Sequence, residues 1–219
     1  MNAIKKTATV RPQAGRPGYW EDACLHLAKK DRVMKRLIPQ FGDACLQSRG
    51  DAFTTLARSI VGQQISVKAA QSVWNKFVLL APKLAPGQVL KLNVDEMRAC
   101  GLSARKVEYL VDLALHFDSG AAQPKDWIDW DDDAIIQTLV AIRGIGRWTA
   151  EMFLIFHLHR PNVLPLDDVG LVNGISKNYF SGEPVSRSDM REVAAAWEPY
   201  RSVATWYIWR SLDNAPAVN

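Results

Sequence analysis

The sequence predicts an all-α protein. Apolar residues recur at helical spacing along nearly the whole chain, as in Phe53, Leu56, Ala57, Ile60 and Val61, and again in Val107, Leu110, Val111, Ala114 and Leu115. Helix-start residues stand just ahead of these stripes: Asp51, Ser103, the acidic run 131–133 and Ser186. Almost no segment alternates apolar and polar residues as a strand would. Many short helices joined by short loops argue a globule rather than a long bundle or coiled coil.

Taken in order, residues 1–18 contain Pro12, Gly15, Pro17 and Gly18 with few large apolar groups, and read as a mobile basic tail outside the fold. Helical patterns follow over about 20–40, 51–62, 66–80, 94–100, 103–117, 132–142, 146–157, 168–175, 187–196 and 200–212. The loop 118–130, DSGAAQPKDWIDW, is the clearest interruption. The expected organisation is one fold over 19–212, made of two closely packed helical subdomains with seams near 50 and at 118–130, followed by a C-terminal tail at 213–219.

With 219 residues, 48% of them hydrophobic, the chain can bury a sizeable core. No apolar run reaches the roughly 18 residues of a membrane helix, and the N-terminus has no secretory apolar stretch, so an intracellular protein, cytoplasmic if bacterial, is expected. Cys24, Cys45 and Cys100 are scattered and odd in number, which suggests neither a disulfide framework nor a thiolate metal site. The net charge is +4, but setting aside Lys5, Lys6, Arg11 and Arg16 of the leading segment leaves 23 basic against 23 acidic residues. Affinity for nucleic acid must then come from a local patch rather than a global field.

The most informative stretch is 139–157, where Gly144 and Gly146 break an apolar helical pattern before a second helix begins. This is a helix–hairpin–helix in sequence form. Glycine reaches backbone angles closed to other residues and lets another backbone approach. The amides near Arg147 to Thr149 would then face outward as an anion site fit for a DNA phosphate, with Arg147 beside it. On the glycines alone, a plain tight turn between helices explains the pattern equally well.

Five landmarks in order settle the choice: AFTTLARSIVGQQIS, MRACGLSARK, IRGIGRWTAEMF, VLPLDDVG and WEPYRSVATWYIW. Together they resemble the helix-hairpin-helix DNA glycosylase superfamily, and within it the 3-methyladenine DNA glycosylase II branch, over about residues 50–212. The chain is similar to a compact form without the N-terminal β domain of long bacterial members. The resemblance implies a glycosylase of base excision repair acting on alkylated purines in double-stranded DNA, with its active site in a cleft between the subdomains, working as a monomer.

In that family the second aspartate of the Pro-x-Asp-Asp loop is catalytic, which here is Asp168. Breaking a purine N-glycosidic bond builds positive charge on the sugar, and a nearby carboxylate stabilises it. Asp167 is the rival; residue by residue, either aspartate could simply cap the helix that follows. Members that also nick the backbone carry a lysine where this chain has Trp148, so no lyase activity is implied. An iron–sulfur cluster needs four clustered thiolates, more than this chain carries.

A flipped cationic purine is best held against aromatic faces, and the resemblance assigns that pocket to Trp148, Met152 and Trp209, with Trp206 nearby. Core packing is the competing account for each of the eight tryptophans. The turn Gly62-Gln63-Gln64-Ile65-Ser66 lies where relatives insert a wedge, making Gln64 the expected residue to fill the gap. Lys106, in the first turn after Ser103, is a further phosphate contact or a solvated helix face. The carbonyls of Val140, Ile142 and Ile145 would hold a structural Na+ or K+ if one binds; no other cofactor is implied. A DNA-binding module without catalysis, and a glycosylase for oxidised or mismatched bases, are the alternatives.

Overall fold

The computed structural model describes residues 16–47 and 50–212. The described residues form twelve α-helices and two short 3-10 turns, with no strand among them. The chain divides into two units, one made of 1–48 with 159–219 (the terminal unit) and the other of 49–158 (the mid-chain unit). The second division thus falls at 158/159. The loop 118–130, expected as a seam, lies inside the mid-chain unit.

The mid-chain unit holds α3 (Ala52–Gly62), α4 (Val67–Leu80), α5 (Pro86–Val89), α6 (Val94–Ala99), α7 (Ala104–Asp118), α8 (Asp132–Val140) and α9 (Arg147–Phe156). Helix starts fall where the caps stand. Asp51 accepts the Thr54 amide at 2.9 Å, Ser66 that of Ala69 at 3.3 Å, Ser103 that of Lys106 at 3.3 Å and Asp131 that of Ala134 at 2.7 Å. Phe53, Leu56, Ala57, Ile60 and Val61 are all buried, so α3 presents its predicted stripe to the core. An aromatic chain explains why 118–130 is no seam. Phe53 meets Phe117 at 5.4 Å, Phe117 meets Trp127 at 6.2 Å, and Trp127 meets Phe153 at 5.5 Å, each edge to face. The 3-10 turn Asp126–Ile128 carries Trp127, fully buried, into this core. One such side chain is worth roughly 1.5–3 kcal/mol of burial, enough to bind the loop to its unit.

The terminal unit contains α1 (Trp20–Lys30), α2 (Arg32–Leu37), α10 (Val169–Tyr179), α11 (Arg187–Ala195) and α12 (Arg201–Arg210). The single helix expected over 20–40 is broken at Asp31, which caps α2. The terminal tails lie mostly outside the described residues, but 16–18 do not behave as tail: Pro17 is buried and its carbonyl accepts the Trp20 amide at 3.0 Å. Residues 202–208 of α12 are all buried, and α10 packs closely on that helix because Gly174 has no side chain. A Cβ there would run into Ile208. Ser202 fastens the incoming chain to the start of α12, accepting the Val163 amide at 2.9 Å and donating to the Arg160 carbonyl at 2.6 Å. That anchor leads directly into the loop carrying Asp167 and Asp168.

Candidate active site

Asp168 is the N-cap of α10 and is only 8% exposed. Its Oδ1 accepts the Leu171 amide at 2.6 Å and the Trp209 indole N–H at 2.7 Å. Two bonds of this kind hold the orientation of the carboxyl group. Gly170 makes room for the pair, since a Cβ at that position would lie 3.0 Å from Trp209 Cδ1 and 3.1 Å from Asp168 Oδ1. Asp167 is exposed and ion-paired with Arg187. The capping role weighed for Asp167 therefore belongs to Asp168, which is held by its helix start and by α12 together.

The two tryptophans of α12 part company. Trp209 is half-buried and bonded to the carboxylate. Trp206, expected at the pocket, is 8% exposed and packs edge-to-face on Trp20 at 5.3 Å and on Tyr207 at 4.9 Å. It belongs to the core by these contacts, although residues three apart on a helix lie on neighbouring strips of its surface.

In the mid-chain unit, α8 and α9 are joined by the turn 141–146. Ile142 and Ile145 are buried, and the Ile145 amide donates to the Ile142 carbonyl at 3.1 Å. Gly144 has φ +84°, and the Tyr109 ring occupies the place where its Cβ would stand. Glycine is thus obligatory at 144. Gly146 is different: its φ is −88°, an ordinary value, and a Cβ would meet nothing within 4 Å. What glycine contributes at 146 is an N-cap without a side chain, so that the first amides of α9 receive no capping oxygen from their own cap residue. The amide ends of α3, α4, α7, α8 and α10 are by contrast capped by their own Asp or Ser.

Arg147 and Trp148 follow on the exposed side, Trp148 being 46% exposed, with half-buried Met152 one turn on. Thr149 is buried. The Arg147 guanidinium is shared by two carboxylates, Glu151 at 3.0 Å and Asp133 at 3.6 Å, which sequence reading did not bring into the site.

Gln64, exposed between α3 and α4, has φ +57°, a left-handed conformation sparsely used by non-glycine residues. Its neighbour Gln63 donates to the Gly144 carbonyl at 2.9 Å, joining this turn to the hairpin. Lys106 points inward, its Nζ donating to the carbonyls of Val61 at 2.8 Å and Gln63 at 2.7 Å. Burial pushes its ammonium below the usual lysine value. Its ammonium is thus engaged by main-chain carbonyls at the end of α3. Sequence signals for Lys106, Gln63 and Tyr109 were weak, since each acts on residues far along the chain.

A family model described as HhH-GPD superfamily base excision DNA repair protein matches residues 57–199, and the chain belongs to this superfamily. It is 30% identical over 194 residues to the protein named DNA-3-methyladenine glycosylase 1 of Schizosaccharomyces pombe, with 85% of each chain covered. Among solved structures it is similar to a DNA-3-methyladenine glycosidase from Bacillus halodurans, with TM-score 0.80 and 33% identity over 86% of this chain and 88% of that one. The S. pombe 3-methyladenine DNA glycosylase in complex with abasic DNA gives TM-score 0.74 and 30% identity, over 90% of this chain and all of the other. No helix among the described residues is long and apolar enough to cross a membrane.

Proposed function

We propose that this protein is a monofunctional DNA glycosylase of base excision repair that hydrolyses the N-glycosidic bond of alkylated purines, 3-methyladenine among them, in double-stranded DNA. The observation that carries the reading is the buried Asp168 carboxylate, gripped at Oδ1 by the Leu171 amide and the Trp209 indole. As the glycosidic bond breaks, its electron pair goes to the departing base and positive charge grows on the sugar. Asp168 stabilises that charge. Water adds to the sugar and gives up a proton. An alkylated purine that already carries positive charge leaves neutral, so no partner acid is required.

DNA is held at the start of α9, where the outward amides and Arg147 meet a phosphate. Gln64 fills the gap left by the flipped nucleotide, and Trp148 and Met152 supply a face for the base. A Na+ or K+ ion suits the carbonyls of Val140, Ile142 and Ile145, neutral oxygens being the donors such hard ions prefer. Its role would be to brace the turn. Trp148 offers no amine for a Schiff base, so the strand stays intact.

The test is incubation of methylated duplex DNA with the protein. Free 3-methyladenine should appear, the abasic strand should remain uncut, and borohydride should trap no protein–DNA adduct. A trapped adduct would overturn the monofunctional reading, and absence of any released base would overturn the reaction.

A further inference from the structure

Helix α3 ends at Gly62, where its last carbonyls have no partner within the helix. The Lys106 ammonium supplies one, bonding the carbonyls of Val61 and of the C-cap residue Gln63. A cation at a helix C-terminus is also favoured by the helix dipole. The next residue along the chain is Gln64, held at φ +57°. Such a conformation persists in a non-glycine residue where the surroundings over-determine it. Two bonds from Lys106 on one side and the bond from Gln63 Nε2 to the Gly144 carbonyl on the other provide that constraint. Tyr109, one turn beyond Lys106 on α7, fills the space beneath Gly144.

We propose that Lys106 is a positioning residue: it caps α3, fixes the left-handed turn that presents Gln64, and with Gln63 and Tyr109 locks that turn to the hairpin at a set spacing. The inference rests on the reading of Gln64 as the DNA wedge only for its consequence in catalysis; the lock itself is a property of the free protein. A wedge must enter the duplex at a fixed distance from the phosphate held by the hairpin. Misplacement by about 1 Å is enough to cost roughly 100-fold in rate.

Lys106→Met removes the ammonium and keeps the stem. In the full-length protein, backbone amide hydrogen exchange at 60–63, the hydrogen-bonded end of α3, should rise about tenfold or more while the buried amides of α7 stay protected. The salt dependence of binding to undamaged duplex should keep its slope, and base release should fall about 10- to 100-fold. A slope shallower by about 1 would instead make Lys106 a phosphate contact and overturn the proposal. Unchanged exchange at 60–63 would overturn it as well. Because exchange needs no substrate, a wild-type protein that releases no base but shows the exchange change in Lys106→Met upholds the lock and removes the glycosylase reading alone. Should Lys106→Met fail to fold, Gln63→Met cuts the link to Gly144 only. Faster exchange at 144–146 in that variant supports the lock, and unaltered exchange there refutes it.

Discussion

Two aspartates of the terminal unit occupy nearly the same kind of place. Asp31 and Asp168 are each 8% exposed, each caps a helix, and each accepts a tryptophan indole N–H. The difference lies in which elements each carboxylate joins. Both oxygens of Asp31 are occupied, Oδ1 by the amides of Val33 at 2.7 Å and Met34 at 3.1 Å, Oδ2 by the Tyr179 hydroxyl at 2.6 Å and the Trp197 indole at 2.9 Å. The bonds to Asp168 from Leu171 and Trp209 meet on the single oxygen Oδ1. Burial, capping and an indole partner are thus common to both carboxylates. Asp31 ties α1, α2, α10 and the segment after α11 into one core, whereas the bonds to Asp168 Oδ1 join the start of α10 to α12.

The sharpest way to break this comparison is to neutralise each carboxylate in turn. Asp168→Asn keeps a capping oxygen and should fold with a Tm near wild type, yet release of 3-methyladenine should drop about 100- to 1000-fold, the scale of losing one electrostatic stabiliser. Comparable release by a folded Asp168→Asn would reduce Asp168 to a cap. Asp31→Asn should do the opposite, costing about 1–3 kcal/mol in urea unfolding because an amide N–H2 now faces two donors. Its release rate, measured where it is folded, should stay near wild type.

Smaller changes sharpen the contrast. Trp209→Phe should slow release by about tenfold with little loss of stability, while Trp197→Phe should lower stability by about 1 kcal/mol and leave the rate alone. Gly170→Ala should resemble Trp209→Phe in kind, since the added methyl crowds Asp168 Oδ1 and the Trp209 ring. The smallest effect is a pH dependence. Burial first, then the bond to Asp31, holds the Tyr179 phenol well above its ordinary 10.0. The unfolded chain loses that proton above pH 10.0 and the folded chain keeps it, so stability should fall as pH rises past that point. Tyr179→Phe should make the alkaline decline in unfolding free energy shallower; an unchanged slope would remove Tyr179 from the Asp31 hub.

The helices of the mid-chain unit were largely legible in the sequence, because Asp51, Ser66, Ser103 and Asp131 cap the chain three residues ahead, a local event. The break at Asp31 was not. Its partners Tyr179 and Trp197 lie 148 and 166 residues away, so the stripe over 20–40 read as continuous. Trp206 and Trp209 share one motif and one helix, and composition cannot say which face of α12 meets a carboxylate. Lys106 read as a surface cation because its acceptors are main-chain carbonyls, which leave no mark in a sequence.

By itself the sequence determined the helical class, most helix starts, the hairpin, and the short list from which a carboxylate, a wedge and an anion site had to come. Those features depend on spacing within a turn or two of chain. Tertiary structure alone decided that Asp168 rather than Asp167 is the buried cap, that Gly144 needs glycine for its angle while Gly146 needs only a bare helix end, and that Lys106 faces the protein. For Asp168, Gly144 and Lys106 the outcome depends on an atom brought close from a distant part of the chain, and the identity of that neighbour is set by packing rather than by local propensity.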